Sequence, residues 1–524
     1  MSWTNNDSRV DTPARMESAW QDISLKYLSV PSANSVWRLS RHPLPSDPQQ
    51  GWKLHLSATI LNACDVLSAV GPYLLSRNIL FKGPVSLAEL SKLNSGIHYG
   101  YSQVGKCFTV YPNNHGEAVE LANQLDRLTA GVEAPAIPFD QKFGNDGCVY
   151  YRYGAFKQLE KIDANGKATL CIEDLEGNLI PDNRYAHAAV PSWIVDPFTS
   201  QAPAQELSSR LAPPDSSYMV LRALSQRGKG GVYLALDLTQ TYPRLCLLKQ
   251  GRKNGEQAWD GSDGFSRITN EELALNSLAA KEVGVPKIFS TFTRGNSTFI
   301  ATEFVEGETL QKFLSTRARR LSIRRILEYG IQIGTLLNQV HAAGWVWRDC
   351  KPANLIKTAR GEIRPIDFES ACRLNDSRPN LWATKAFSPP KTDNSSTSAT
   401  PSEDLYSFGV LLYFLLWGML PNDGIKNDSP KRRNGVPESL LELISNLLRE
   451  NPNLRPDAIS ATRRLRKILM TLPSTNGAMP CHVPTTAHGL RFSRRVRSLN
   501  LGSECRSSKI GSVGSAVIGG KCSL

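Results

Sequence analysis

The chain has 524 residues, 41% of them hydrophobic and 21% charged, with a formal net charge of +13. At roughly 100–200 residues per domain this length holds two to four domains, and the composition excludes a collagen-like, disulfide-scaffold or wholly disordered chain. Seven basic residues and one acidic residue fall in the last 45 positions, so nearly half of the excess charge sits in a tail. The remainder is spread thinly, as in domains that handle anionic phosphates, and does not call for a nucleic-acid partner.

Ten cysteines without a CxxC pair argue against a zinc ribbon or redox motif and for a reducing, cytoplasmic setting. The N-terminus, MSWTNNDSRVDTPARMESAW, lacks the apolar core of a secretory signal. The longest apolar run, Leu405 to Leu420, is interrupted by Ser407 and two glycines and falls short of the roughly 18 or more residues of a membrane span. A buried core helix and no membrane span are expected.

In chain order, residues 1–50 are polar and proline-ended, and are expected as an N-terminal extension. A first domain is expected over 51–198. In it KLHLSAT (53–59) alternates as a strand does, and NACDVLSAVGPYLLS (62–76) has helical spacing. KCFTVYP (106–112) reads as a strand, EAVELANQLDRLTAG (117–131) as an amphipathic helix closed by Gly131, and CVYYRYGAF (148–156) as an aromatic strand. Residues 199–217, rich in Ser, Pro and Ala, are expected as a linker. A second domain runs from 218 to 470, and a basic, Gly/Ser-rich, flexible tail from 471 to 524.

The second domain carries a set of motifs in order. LSQRGKGGVYLA (224–235) reads as strand, glycine turn, strand, so that the turn at Gly228 and Gly230, with Val232 beyond it, can cover phosphates. Lys249 follows on the strand LCLLKQ, and the acids Glu271 and Glu272 lie on the helical stretch ITNEELALNSLAA. A strand lysine paired with a helix glutamate, here assigned to Glu271, positions nucleotide phosphates. Each of these alone is more often a surface charge. WVWRDCKPANLI (345–356) places Asp349, Lys351 and Asn354 at the spacing of a phosphoryl-transfer loop: an Asp to accept the substrate hydroxyl proton, an Asn to hold magnesium. PIDFESA (365–371) then offers Asp367 as a second metal contact.

With SEDLYSFGVLLYFLLWGMLP (402–421) and NPNLRP (451–456) further on, this domain resembles the eukaryotic-type, two-lobed protein kinase fold. The resemblance implies ATP or GTP and Mg2+ as cofactors. Departures are clear: Ser225 and Arg227 replace two loop glycines, Trp347 replaces the catalytic-loop histidine, Glu369 replaces the glycine of DFG, and Lys391 stands where a glutamate would pair with Arg455. The metal, nucleotide and proton-handling residues remain, so an active, divergent kinase is expected rather than a nucleotide-binding scaffold. The DFE form is similar to the kinase domains of class III lanthipeptide synthetases.

The first domain bears on that likeness. In WKLHLSA, Lys53 and His55 share a strand face. Lys82 follows in LFKG, then GKCFTVYP with Lys106 and YYRYGAF with Arg152. This resembles the phosphothreonine-lyase-like α+β domain of class III and IV lanthipeptide synthetases. The resemblance implies Lys82 as the base for a Cα proton, Lys53 as stabiliser of the enolate, His55 as acid on the departing phosphate, and Arg152 and Lys106 as phosphate holders. Singly, Lys82 and Lys106 would be surface lysines and His55 a structural histidine.

Together the α+β domains imply a bifunctional peptide dehydratase acting on a ribosomally made precursor peptide, with any cyclase a separate protein. The alternative is a regulatory serine/threonine kinase with a non-catalytic N-terminal domain. SVGSAVIGGKC (512–522) has the look of a ring-forming peptide stretch, though short Gly/Ser matches arise easily.

Overall fold

The computed structural model describes residues 12–32, 36–182 apart from 158, 164 and 167, then 190–198, 217–317, 320–377, 384–390, 398–421 and 435–473. All of the linker proposed over 199–217 except Ser217, together with Lys391 and nearly all of the basic tail, thus lies outside the described residues.

The chain enters with α1 (Thr12–Tyr27), β1 (Val30–Pro31), β2 (Trp37–Leu39), β3 (Gln50–Leu56), α2 (Ala63–Ser76), β4 (Leu80–Pro84) and α3 (Leu87–Ser95). It continues through β5 (Phe108–Tyr111), α4 (His115–Leu128), β6 (Gln141–Lys142) and β7 (Val149–Ala155). The strands form one antiparallel sheet in the order β1-β2-β4-β5-β3-β7-β6. Alternation sorts its side chains. Leu54, Leu56, Phe81, Phe108, Val110, Val149 and Tyr151 share one core with Trp20, Val66, Leu67, Val70, Leu121 and Leu125 of α1, α2 and α4. The opposite face carries the polar set.

The described part of the first 50 residues, 12–32 and 36–50, is therefore packed into the first domain rather than standing as an extension. Trp20 is fully buried and lies 6.1 Å from the Phe108 ring. The Tyr27 ring fills the space above Gly71, where a Cβ would stand 2.7 Å from it, and β1 and β2 extend the sheet. A polar-looking segment with a few well-spaced aromatics can bury just those, each contributing about 1.5–3 kcal/mol. A small sheet of β8 (Glu160–Ile162), β9 (Ala168–Glu173) and β10 (Leu179–Pro181) follows.

The second domain opens with β11 (Tyr218–Arg227), β12 (Gly230–Asp237), β13 (Arg244–Arg252), α5 (Gly264–Ala279), β14 (Ile288–Arg294) and β15 (Ser297–Glu303). They build a five-stranded antiparallel sheet, β11-β12-β13-β15-β14, with α5 across it. The rest is mostly helical. It comprises β16 (Glu308–Thr309), α6 (Leu310–Ser315), α7 (Ile323–Ala342), β17 (Trp345–Val346), β18 (Leu355–Lys357), β19 (Ile363–Pro365), β20 (Cys372–Arg373), α8 (Pro401–Trp417), α9 (Glu438–Leu447) and α10 (Ala458–Thr471).

The apolar run falls in α8. A Thr400/Glu403 capping box with Pro401 in the first turn starts it, and Gly418 at φ 71° ends it. Eleven of its 17 residues are buried, against α7, α9 and α10 in one core. No described helix is long and apolar enough to cross a membrane.

Both domains lie within one compact unit, Met1–Leu472, and touch directly. Gly228 N–H donates to Ser95 O at 3.0 Å. The Arg252 guanidinium stands over the Tyr101 ring at 5.3 Å, Lys253 pairs with Glu133 at 2.6 Å, and Trp259 packs on the first domain's core.

Candidate active sites

In the second domain β13 aims Lys249 at α5. The helix starts on Asp263, whose carboxylate accepts from Ser266 N–H at 2.9 Å. Its buried face runs through Arg267, Ile268, Glu271, Ala274, Leu275 and Leu278. Lys249 Nζ donates to both Glu271 oxygens, at 2.7 and 2.9 Å, and to Asp367 Oδ1 at 3.1 Å. Glu271 also accepts from Phe368 N–H at 3.0 Å. Glu272 faces elsewhere, accepting from Thr291 Oγ1 at 2.9 Å, which separates the two acids. Burial pushes the Lys249 pKa down, but the Asp367 and Glu271 carboxylates push it further up, so Lys249 stays charged. Burial likewise opposes ionisation of Asp367, and Lys249 with Lys229 overcomes it, leaving its carboxyl well below the usual range. Val232 lies opposite Lys249 in the β12–β13 register.

Asp349 sits among donors. Lys351 Nζ reaches Oδ2 at 2.8 Å, Asn354 Nδ2 reaches it at 2.7 Å, and Thr384 Oγ1 reaches Oδ1 at 3.1 Å. Burial raises the Asp349 pKa, with Lys351 opposing. Beneath, the fully buried Asp404 accepts from Trp347 N–H at 2.8 Å and Arg348 N–H at 2.7 Å. This holds Arg348 at φ 64°, a left-handed conformation that costs a non-glycine residue free energy. Arg348 also pairs with Glu403 at 3.0 Å. Trp347 serves where a histidine was expected: its indole N–H donates to Asp367 O at 2.8 Å, and its ring stacks on Phe368 at 5.0 Å. Arg455 donates to the carbonyls of Arg449, Glu450 and Ser402.

The glycine turn departs from expectation. Gly228 and Gly230 are buried. Gly228 gives its N–H to Ser95 O, and a Cβ on it would stand 1.7 Å from Asn94 O. A Cβ on Gly230 would stand 1.7 Å from Gln250 O. These glycines answer close backbone packing, and the Gly228 N–H is not turned to a phosphate. Between them Lys229 pairs with Glu369, the residue in place of the DFG glycine.

Asn354 and Asp367 offer hard oxygen donors of the kind magnesium takes alongside substrate phosphates, where one or two protein groups suffice. Among the described residues no cluster of three His, Cys, Asp or Glu forms a dedicated metal cage.

In the first domain the register lines up the polar face. Lys82 (β4) stands opposite Thr109 (β5), which stands opposite His55 (β3), which stands opposite Tyr150 (β7). Two residues along, Lys53 stands opposite Arg152. Side chains two apart share a face, so Lys82, His55, Lys53 and Arg152 line one surface. Lys82 Nζ lies over the Trp37 ring at 4.4 Å and Lys53 Nζ near the Tyr111 ring at 5.9 Å. Arg152 lies along Gly154, where a Cβ would meet its guanidinium at 2.9 Å, and pairs with Asp182.

One organising residue was not foreseen. Asp140, 1% exposed, lies 2.5 Å from His55 Nδ1 and 3.0 Å from Lys106 Nζ. Burial above all pulls the His55 pKa down to about 3; Asp140 pulls it up, Lys106 and Lys53 down again. Burial opposes the charge on Asp140 too, but the Lys106 ammonium holds its carboxyl well below the usual range. A neutral His55 then donates Nδ1–H to Asp140, leaving Nε2 with its lone pair. Nothing local in IPFDQKFG marks Asp140, which is 85 residues from His55. Thr384, Asp404 and Lys229 were missed likewise.

Residues 29–210 match the family described as "RamC, N-terminal domain", and residues 221–465 match "Protein kinase domain". The chain is 31% identical over 364 residues to "Probable SapB synthase" of Streptomyces coelicolor, covering 67% of this chain and 38% of that protein. It is 26% identical over 263 residues to "Serine/threonine-protein kinase F" of Synechocystis, covering 45% of this chain and 52% of that one. With "Serine/threonine-protein kinase PknA" of Mycobacterium tuberculosis it shares 32% identity over 195 residues, 33% of this chain and 44% of that one. The chain thus spans 38% to 52% of the length of these relatives.

Proposed function

We propose that this chain, a RamC N-terminal domain followed by a protein kinase domain, dehydrates serine and threonine in a peptide, as in lanthipeptide biosynthesis. The second domain transfers the terminal phosphoryl group of ATP to a side-chain hydroxyl, and the first eliminates it. Asp349 accepts the hydroxyl proton, Lys351 stands beside the reacting oxygens, and Lys249, fixed by Glu271, holds nucleotide phosphate. Asn354 and Asp367 would hold magnesium, which neutralises charge on the phosphates.

For elimination, Lys82 takes the Cα proton of the phosphoresidue while Lys53 stabilises the enolate oxygen. The electron pair forms the Cα–Cβ double bond, the Cβ–O bond breaks, and inorganic phosphate leaves toward Arg152 and Lys106. The products are dehydroalanine or dehydrobutyrine. His55, neutral at rest, becomes an acid only after gaining a proton. A phosphate dianion beside it favours that gain, because an adjacent anion raises a histidine pKa. Asp140 holds the ring in place.

The observation that carries the reading is the placement of Lys82, His55, Lys53 and Arg152 on one face of one sheet, in a domain joined in one compact unit to a protein kinase domain. Lys53 is buried on that face at 8% exposure, with Lys82 and Arg152 half-buried on the same face, a concentration of positive charge that suits a phosphorylated substrate. Incubation with ATP, magnesium and a Ser/Thr peptide, read by intact mass, tests it. Wild type is expected to yield peptide that has lost water, and Lys82→Ala peptide that has gained phosphate. Dehydration by Lys82→Ala would refute the assignment of the base, and wild type that never loses phosphate would favour the plain regulatory kinase.

A further inference from the structure

The glycine turn of the kinase domain is closed in on two sides. On one, Gly228 gives its N–H to Ser95 at the end of α3, with the Asn94 carbonyl too near for any Cβ. The receiving helix end is itself fixed: Asn94 Nδ2 donates to Ala58 O at 3.0 Å, and Asn94 Oδ1 accepts from Gly105 N–H at 3.0 Å. On the other side Arg252 N–H donates to Lys229 O at 2.8 Å, and a Cβ on Gly264 would stand 1.8 Å from that carbonyl. The backbone of the turn is thus tied by hydrogen bonds on both sides.

Its one long polar side chain does the opposite. Lys229 leaves the turn, half-buried, and reaches Glu369, two residues beyond Asp367. Its charge is felt at Asp367. An ammonium thus stands at the edge of the site formed by Lys249, Asp367 and Asp349, on the side the turn would cover.

We propose that Lys229 is the group of the glycine turn that grips the nucleotide's phosphates, replacing the backbone N–H that docking on the first domain has taken up. At rest Lys229 is neutralised by Glu369. When nucleotide enters, it exchanges that carboxylate for a phosphate oxygen, and no covalent bond changes. Glu369 keeps a cation near it, since Arg267 at the start of α5 also feels its charge. Asn270 Nδ2 pins the backbone of this segment, donating to Glu369 O at 3.1 Å and Ala371 O at 2.7 Å, so the exchange needs side-chain motion only. The inference rests on the kinase reading and is independent of the elimination step.

The test is calorimetric titration of full-length protein with ATP and magnesium, and separately with adenosine, with melting temperature as the check on folding. Lys229→Ala is expected to weaken ATP binding roughly tenfold to a hundredfold, the range of a charge-assisted hydrogen bond, and to leave adenosine binding unchanged. Lys229→Arg keeps most of the affinity. Glu369→Gln, which removes the competing carboxylate, binds ATP more tightly than wild type. Asp367→Asn is the control for the parent reading: if it binds ATP–magnesium as wild type does, the nucleotide site itself is misplaced. If Asp367→Asn loses binding while Lys229→Ala keeps it, the Lys229 proposal alone is overturned. Equal losses of ATP and adenosine in Lys229→Ala, or weaker ATP binding in Glu369→Gln, overturn it as well.

Discussion

Replacing Asp140 by Asn tests the first site at its least exposed point. The carboxylate lies 2.5 Å from His55 Nδ1 and 3.0 Å from Lys106 Nζ, and is 1% exposed. The amide removes one negative charge from beside the Lys106 ammonium, itself 5% exposed. Removing one partner of a buried pair costs about 3–5 kcal/mol, a fifth or more of the roughly 5–15 kcal/mol that holds a domain folded. Urea unfolding of Asp140→Asn is therefore expected to show a loss of that size. Asp140→Asn/Lys106→Gln should recover much of it, because the buried ammonium is removed together with the carboxylate. The two variants separate stability from chemistry: both should stop elimination, since neither holds the His55 ring against an anion, while phosphorylation continues and phosphopeptide accumulates. A double variant that regains elimination along with stability would show that Asp140 only supports the fold. An Asp140→Asn protein as stable as wild type would refute the buried-pair energetics.

The remaining expectations concern the other groups of the two sites. Asp349→Asn should abolish phosphorylation of a Ser/Thr peptide with little change in ATP affinity, because a proton acceptor contributes in the transition state; full activity would remove its role. Trp347→Phe keeps the stack on Phe368 but loses the donor to Asp367 O, so a loss of about 1–3 kcal/mol in urea unfolding and a higher KM for ATP are expected; an unchanged KM would show that the indole N–H does not position Asp367. His55 has a folded pKa of about 3, below the 6.5 or so of an unfolded histidine. The unfolded chain therefore takes up the proton first as pH falls, and stability is lost through that window, by about 2 kcal/mol at pH 5. His55→Gln should flatten this acid slope in urea titrations between about pH 6.5 and pH 4, and an unaltered slope would show that His55 is not the buried neutral group.

What the residues spell out on their own is whatever depends on short-range spacing. The alternation in KLHLSAT puts Lys53 and His55 on one face because a strand repeats every two residues. The helix expected over 117–131 runs His115–Leu128, capped by Asn114 on Glu117 N–H, because cap and apolar period are local signals. The apolar run ending at Leu420 became α8, whose capping box and terminal glycine are also legible in the chain. The Asp349–Asn354 spacing and the order of motifs around it likewise need no coordinates to be noticed.

Tertiary structure decided the rest. Pairing β4 with β5 and β5 with β3 brought Lys82 into line with His55, and strand order is not written in any one strand. Packing sent a polar N-terminal segment into the first domain through Trp20 and Tyr27, because a few large rings can bury while their neighbours stay in water. Asp140 and Asp404 acquired their roles by burial next to unmatched N–H groups and charges far off in sequence, and a lone Asp carries no mark of the donors it will meet. The glycine turn shows the same limit. Its glycines looked like a flap over phosphates, yet contact with Asn94, Ser95 and Gln250 requires their missing side chains. The same residue type serves a moving loop or a tight backbone crossing, and only the neighbouring chain settles which.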